Sequence, residues 1–365
     1  MQVSQVLPFC LGYALPTSAV LKSQPAATTS APRDARDWMK ILAQYKQPDE
    51  ARSILEIVIT ALPFIVLWIA AWAALSVGYW LTLLIAIPAA GFLVRLFMIQ
   101  HDCGHGAFFH KRTVNDWVGR VIGVFTLTPY DVWRRSHATH HATSGNLDER
   151  GTGDIDTLTV REYLALPPWR RMLYRAYRHP IVMFGIGPAY LFILQHRLPV
   201  GLMRAGWQPW ISALLTNLGI AVVAGAVIRL VGLEAFLLVQ LPITIFGASI
   251  GVWLFYIQHQ FEETHWAEAD TWTHAEAALH GSSHYDLPAV LRWFTANIGV
   301  HHVHHLYSRI PYYRLSDVLR DHPALADVGR ITLWESFSYV KLRLWDQDSK
   351  RMVSLAELRA MPQAA

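Results

Sequence analysis

Histidines at helical spacing are the residues of this chain best suited to do chemistry. The chain has 18 histidines in 365 residues. Eight of them form three short clusters: His101 and His105; His137, His140 and His141; His301, His304 and His305. Within a cluster they lie three or four residues apart, which puts their side chains on one helix face. Because imidazole is the commonest metal ligand and one ion rarely takes eight protein ligands, we predict two metal ions. Imidazole suits iron, zinc, copper and nickel alike.

His302 differs in phase from its neighbours in the last cluster. The i, i+3, i+4 pattern is complete with His301, His304 and His305, so we expect His302 not to bind a metal. His302 and His305 also form an i, i+3 pair, so a role for His302 as a metal ligand stays open.

Motifs that would indicate other chemistry are absent or out of context. The zinc-protease pattern HExxH does not occur. The stretch from Gly247 to Gly251 matches GxSxG, but it lies within an apolar segment. We interpret its small residues as a surface for helix packing. Without a GxxxxGK pattern, nucleotide hydrolysis is not indicated.

Four long apolar segments must position the histidines. They cover residues 54–77, 79–99, 209–231 and 233–257, each close to the roughly 20 residues that cross a bilayer. Gly78 and Gly232 separate the members of each pair, which predicts two helical hairpins. Arg95 and Arg229 lie near segment ends, where we expect them to reach toward the lipid headgroups. The sequence therefore predicts an all-α integral membrane protein with four transmembrane helices and a helical cap carrying the histidines.

A fifth apolar run, residues 180–194, is short and contains Gly185, Gly187 and Pro188. We interpret it as interfacial or re-entrant. With four crossings, both termini and all histidine clusters lie on one side, together with every Lys and Arg except Arg95 and Arg229. Basic residues accumulate in the cytoplasm, so we expect both termini and the active site there.

Composition supports this organisation. The net charge of +4 gives no reason to expect nucleic-acid binding, and two cysteines exclude a disulfide framework and a cysteine zinc site. Residues 1–36 are rich in Ser, Ala, Thr and Pro, which predicts a disordered N-terminal tail. We expect a single domain over residues 37–335 and a C-terminal cytoplasmic tail over 336–365.

The three clusters resemble the histidine boxes HxxxH, HxxHH and HxxHH of the membrane fatty acid desaturases. The similarity includes the residues around the boxes, in particular 101–109, 137–148, the Gly-Thr-Gly-Asp at 151–154, and 301–311. It covers roughly residues 40–335 and is closest to bacterial and plastid-type Δ12 (ω-6) and ω-3 acyl desaturases. A bacterial inner membrane is the location this resemblance implies.

The resemblance also implies a centre of two iron ions (Fe²⁺/Fe³⁺) under a cytoplasmic cap. A ninth histidine ligand is implied just after the last span, and His259 is the candidate, with His265 and His284 as alternatives. The implied reaction uses O2 and two external electrons to form a cis double bond and water. We expect Δ12/ω-6 specificity on a monounsaturated fatty acyl chain carried on lipid, CoA or carrier protein. A di-iron hydroxylase or ketolase of the same superfamily is the close alternative, and a histidine-rich metal transporter a remote one.

Partners and supporting residues complete the expectations. With no flavin fingerprint and no His-Pro-Gly-Gly segment of a fused cytochrome b5, we expect a separate electron donor, a ferredoxin or a cytochrome b5-like protein. Five carboxylates are candidates to accept imidazole N–H groups: Asp102, Asp148, Asp154, Glu262 and Asp286. Six aromatic residues are candidates to line an apolar tunnel for the acyl chain: Phe108, Phe109, Trp133, Trp266, Trp293 and Phe294.

Overall fold

The computed structural model describes residues 35–151 and 153–361. The predicted tail over 1–36 therefore lies outside the described residues, apart from its last two. In chain order the helices are α1 (Ala35–Leu42), α2 (Glu50–Ala74), α3 (Tyr79–His105), α4 (Arg112–Phe125), α5 (Tyr130–Thr143), α6 (Val160–Ala165), α7 (Pro168–Tyr177), α8 (Gly187–Ile193), α9 (Trp207–Val231), α10 (Leu233–His259), α11 (His274–His280), α12 (Ala289–Phe294), α13 (His301–Leu306), α14 (Tyr312–Asp321), α15 (Leu333–Tyr339) and α16 (Leu355–Ala360).

Four helices, α2, α3, α9 and α10, are long and apolar enough to cross a membrane. This confirms the predicted mostly helical fold with four spans. Two of them continue beyond the C-terminal ends of their apolar segments: α3 extends past residue 99 to His105, and α10 past residue 257 to His259. Because these extensions are rigid helix, the polar ends of the spans carry histidines to fixed positions beyond the apolar layer.

Helix α3 is the central span. It is the most buried of the four, because it packs against both α2 and α10. Small residues allow the close approach to α10: a Cβ atom added at Gly247 would lie 3.1 Å from a methyl group of Leu93. The helix that carries the first two histidines is thus held on two sides.

Arg95 does not reach the headgroups as we expected. Its side chain is 2% exposed and forms an ion pair with Glu56 of α2. Its Nε donates to Oγ1 of Thr60 at 3.2 Å, and its guanidinium lies 4.1 Å from the ring centroid of Trp293. A charge in an apolar layer is tolerated when a partner compensates it, and here the partner lies on the neighbouring span.

The fifth apolar run does not form a long helix. It contains a π-helical turn over Val182–Ile186, followed directly by α8. The continuous helical stretch of residues 180–193 rises only about 20 Å, too little to cross the roughly 30 Å apolar layer of a bilayer. Both pieces pack against α10, so this run adds a layer of protein beside that span.

Short strands tie the polar part of the chain together. The strands are β1 (Leu158–Thr159), β2 (His284–Asp286), β3 (Arg330–Thr332), β4 (Leu342–Asp346) and β5 (Arg351–Ser354). Strand β4 pairs in parallel with β1 and antiparallel with β5, and β2 pairs in parallel with β3. The segment expected to be a C-terminal tail is therefore folded, because Leu344 and Val353 are fully buried. The domain boundary at residue 335 stays a prediction.

Candidate metal centre

The nine histidines predicted as ligands converge in two groups. The first group consists of His101, His105, His137, His141 and His304; the second consists of His140, His259, His301 and His305. Within each group the candidate ligand atoms all lie within 4.8 Å of one another. The structure thus brings together all nine histidines that were predicted as ligands, from α3, α5, α10 and α13.

Both HxxHH segments divide between the groups in the same way, with the outer two histidines in one group and the middle one in the other. On α5 the outer pair is His137 and His141 and the middle residue His140; on α13 the outer pair is His301 and His305 and the middle residue His304. Residues four apart differ by about 40° around a helix, whereas residues three apart differ by about 60° in the opposite sense. The middle histidine of each segment therefore turns toward the group that its two neighbours do not join, and each helix contributes to both groups.

Distances between ring nitrogens fit ligands of a common ion. In the first group, Nε2 of His137 lies 3.0 Å from Nε2 of His105. In the second, Nε2 of His301 lies 3.0 Å from those of His259 and His305. Imidazole binds ions such as zinc at roughly 2.0–2.1 Å, so two ligands at a right angle are about 3.0 Å apart. An ion placed among these nitrogens would have the usual spacing of neighbouring ligands.

Burial keeps these imidazoles in the form that binds metals. For five of the six ligand candidates outside the spanning helices, loss of hydration and then repulsion from neighbouring histidines hold the pKa well below the usual 6.5: His137, His141, His301, His304 and His305. They are therefore neutral at pH 7, as a ligand must be. Nε2 of His140 is buried without a hydrogen-bond partner, and a metal ion would satisfy it. The donor set fits a metal centre.

Two of the five candidate carboxylates contact the histidines, one in each group. Oδ1 of Asp102 lies 3.1 Å from Nδ1 of His101, and Oδ1 of Asp154 is in short contact with Nδ1 of His140. A carboxylate on the outer ring nitrogen fixes the orientation and tautomer of the imidazole and raises its basicity. Each group thus has one imidazole aligned by an acid.

Gly153 brings Asp154 to its position. Its φ of +81° is in the left-handed region that favours glycine. A Cβ atom there would lie 3.1 Å from the carbonyl oxygen of Ser136 and 3.3 Å from Cβ of His140. The second glycine of the Gly-Thr-Gly-Asp stretch is therefore needed for the close approach of this loop to α5.

The other three candidate carboxylates have different partners. Asp148 accepts from the backbone N–H of Ala269 at 2.8 Å, Glu262 pairs with Arg351 at 2.9 Å, and Asp286 pairs with Arg330 at 2.6 Å. These contacts hold the three side chains away from the histidine groups, because arginine and backbone donors compete for the same oxygens. The sequence alone did not distinguish them from Asp102 and Asp154.

The remaining histidines considered from the sequence lie outside both groups. Nε2 of His302 is 2.8 Å from the carbonyl oxygen of Leu325, and burial lowers the pKa of His302 to about 3. Nδ1 of His284 is 2.5 Å from the carbonyl oxygen of Ala326. Neither these two nor His265 belongs to either group, whereas His259 belongs to the second.

An apolar cavity of about 590 Å³ reaches both histidine groups. Its walls include His101 and His137 of the first group and His301 of the second. It also extends to Thr244, which lies about 22 Å from His259 along α10. The cavity thus runs from the middle of the spanning helices to the candidate ligand nitrogens.

Trp133 is the only one of the six predicted aromatic residues that lines this cavity. The other five pack elsewhere, for instance Phe108 against Tyr312 and Phe294 against Phe92. The wall includes instead residues that the sequence did not suggest, among them Gly251. A Cβ atom at Gly251 would meet no atom within 4 Å, so this glycine faces open space, and only Gly247 fits the helix-packing interpretation.

Replacing Asp154 by asparagine should weaken metal binding in the second group by about 10–100-fold, the usual cost of losing such a partner. The amide keeps the shape of the side chain but removes the charge that aligns His140. Metal affinity can be measured by titrating the stripped protein with Co²⁺. Asp148→Asn is the matched control, since Asp148 contacts a backbone amide instead. Equal affinities for the two variants would contradict the assigned role of Asp154.

Comparison with known proteins places these features in a family. Residues 78–337 match the family model described as fatty acid desaturase. The chain is 44% identical over 323 residues to a fatty acid desaturase of Bacillus subtilis (strain 168), covering 88% of this chain and 91% of that protein.

Two relatives from Synechocystis sp. (strain ATCC 27184 / PCC 6803 / Kazusa) are less similar. An sn-1 oleoyl-lipid 12-desaturase is 30% identical, with 61% of this chain and 63% of that protein covered. An sn-1 acyl-lipid omega-3 desaturase (ferredoxin) is 29% identical, with 66% and 68% covered. The resemblance noted from the histidine boxes is confirmed. The chain belongs to the fatty acid desaturase family and is an oxidoreductase that acts on fatty acids.

Proposed function

We propose that this protein is an O2-dependent acyl desaturase that introduces a cis double bond into a membrane lipid. The observation that carries the proposal is the apolar cavity, which connects the level of the spanning helices with His101, His137 and His301. Its volume of about 590 Å³ is within the usual range for small-molecule sites. An acyl chain entering from the bilayer would place a methylene pair beside both histidine groups.

Two iron ions are the proposed cofactors, one held by each group of histidines. Bound iron supplies the redox chemistry by which O2 removes hydrogen from an unactivated methylene pair. Two hydrogen atoms leave the acyl chain, and O2 with two external electrons and two protons becomes two molecules of water. The chain contributes neutral imidazoles, the carboxylates of Asp102 and Asp154 that orient two of them, and a cavity that excludes water.

The double bond is proposed at the Δ12/ω-6 position of a monounsaturated chain. A relative named for the 12-position supports this position, whereas another is named for the omega-3 position. Both names specify an acyl-lipid substrate. The more similar relative has no position in its name. The position of the double bond therefore needs a test separate from that of the reaction type.

Expression in a host that makes only saturated and monounsaturated fatty acids should yield cis dienes. Gas chromatography of methyl esters, with mass spectrometry of dimethyl disulfide adducts, identifies the bond position. New monoenes from saturated chains would contradict the Δ12/ω-6 position and leave the desaturase proposal intact. Hydroxy or keto chains would instead favour the hydroxylase or ketolase alternative. The same host without this gene is the control.

The electron donor is proposed to be a separate ferredoxin or cytochrome b5-like protein. Support comes from relatives named as ferredoxin-dependent in Synechocystis and cytochrome b5-dependent in Arabidopsis thaliana. We also propose that both termini and the histidine groups face the cytoplasm of a bacterial cell. The four apolar segments contain no Lys or Arg except Arg95 and Arg229. This concentration of basic residues outside the spans supports the orientation.

A further inference from the structure

A buried chain of hydrogen bonds leads from the first histidine group to α2, a span that carries no histidine ligand. Asp102, which contacts His101, also accepts from the backbone N–H of Tyr312 through Oδ2 at 2.7 Å. The hydroxyl of Tyr312 donates to Oε2 of Glu56 at 3.0 Å. Glu56 lies on α2, so the chain connects α2, α14 and α3 in four residues.

Both ends of this chain are fixed. Glu56 is 0% exposed and pairs with two arginines, Arg95 through Oε2 and Arg52 through Oε1. At the other end, Asp102 accepts from the first N–H of α14, where the helix dipole favours a negative charge. A buried carboxylate held by an ion pair cannot move without exposing an uncompensated charge. Glu56 therefore fixes the hydroxyl of Tyr312. This contact in turn fixes the position of the Tyr312 backbone N–H that donates to Asp102.

We propose that Glu56 and Tyr312 are positioning residues for the metal centre, acting on His101 through Asp102. The inference rests on the proposed function, because it needs a metal ion at the first histidine group. Helix α2, which supplies no histidine ligand, would in this way determine the orientation of one ligand on α3. The ion pair of Glu56 with Arg95 then serves the metal centre as well as the packing of two spans.

The chain offers a matched pair of variants to test this. Tyr312→Phe removes the hydroxyl that reaches Glu56 and keeps the ring, which stacks on Phe108. Tyr313→Phe removes the hydroxyl of the next residue on the same helix, which accepts from the backbone N–H of Asp49 at 2.9 Å and lies 3.1 Å from Oγ of Ser53. Both variants lose the contacts of one hydroxyl with the region of α2, but only Tyr312→Phe interrupts the path to Asp102.

Full-length protein in lipid nanodiscs, stripped with a chelator, is titrated with Co²⁺ alone. We expect Tyr312→Phe to weaken binding at the first group by about three- to tenfold, less than the 10–100-fold expected for direct loss of a ligand's partner. The visible absorption of bound Co²⁺ should shift in the same variant. Tyr313→Phe should stay within about twofold of wild type with an unchanged spectrum.

A double-mutant cycle separates positioning from general destabilisation. If Tyr312 acts through Asp102, Tyr312→Phe should have no further effect on Co²⁺ affinity in an Asp102→Asn background. Additive effects, or equal behaviour of the Tyr312 and Tyr313 variants, would overturn the inference. Failure of wild type to bind Co²⁺ at either group would instead overturn the proposed metal centre, so the two failures are distinguishable.

Hydrogen exchange on the wild-type protein provides a test if Tyr312→Phe does not fold. Binding of Co²⁺ fixes His101, and through Asp102 it should slow exchange of the Tyr312 amide at least about threefold. The amides of β4 and β5, which pair with each other, should not change. Unchanged exchange at Tyr312 in Co²⁺-loaded protein would overturn the inference.

Discussion

Replacing His140 or His304 by alanine should reduce desaturation to less than about one-hundredth of the wild-type rate, since loss of a ligand costs more than loss of its outer partner. His140→Ala leaves three histidines in the second group, and His304→Ala leaves four in the first. Each variant should therefore keep one tightly bound metal ion in place of two. Product analysis and metal content by plasma mass spectrometry measure the two effects.

His302→Asn is the matched control for these variants. His302 is also buried and lies in the same histidine box as His304, but its Nε2 contacts the carbonyl oxygen of Leu325. Asparagine can still donate a hydrogen bond there, so we expect two metal ions and activity within about threefold of wild type. Full metal content together with normal desaturation in either alanine variant would remove that histidine from the proposed ligand set.

Replacing Gly251 by tryptophan should abolish desaturation without changing metal content. Gly251 lines the apolar cavity and faces open space, so an indole there takes the volume that an acyl chain needs. It lies about 12 Å along α10 from His259, which leaves the histidines undisturbed. We expect at least about a hundredfold loss of rate, because displacing a substrate by about 1 Å can already cost that much.

Gly225→Trp provides the control for bulk introduced into a span. Gly225 lies on α9, is exposed, and has no atom within 4 Å of an added Cβ. It does not line the cavity, so this variant should retain wild-type activity. Equal losses in both variants would show that tryptophan disturbs the spans generally, and normal activity of Gly251→Trp would exclude this cavity as the acyl site.

Local sequence patterns predicted the parts of the site that depend on one helix. The i, i+3, i+4 spacing identified the ligand candidates on α5 and α13, and hydropathy identified the four spans. The division of each HxxHH box between the two groups was not predictable, because it depends on how α5 and α13 face each other. Asp102 and Asp154 could not be separated from the other acids for the same reason, although Gly153 offered a local signal.

Arg95 shows a second limit of reasoning from a single segment. Its position near the end of an apolar run suggested that it would reach the headgroups, because hydropathy considers one segment at a time. The compensating charge, Glu56, is on another helix, and only the packing of α2 against α3 brings the two together. Buried ion pairs between spans are therefore easily mistaken for surface charges.

The sharing of α5 and α13 between the two groups removes a degree of freedom from the centre. A helix that presents ligands to one ion can ordinarily rotate or slide to suit that ion's preferred geometry. Here any rotation of α5 that moves His140 also moves His137 and His141, which serve the other group. Two ions bound in these groups would thus be held at a separation set by helical geometry, and neither half of the centre could adjust to a different metal independently of the other.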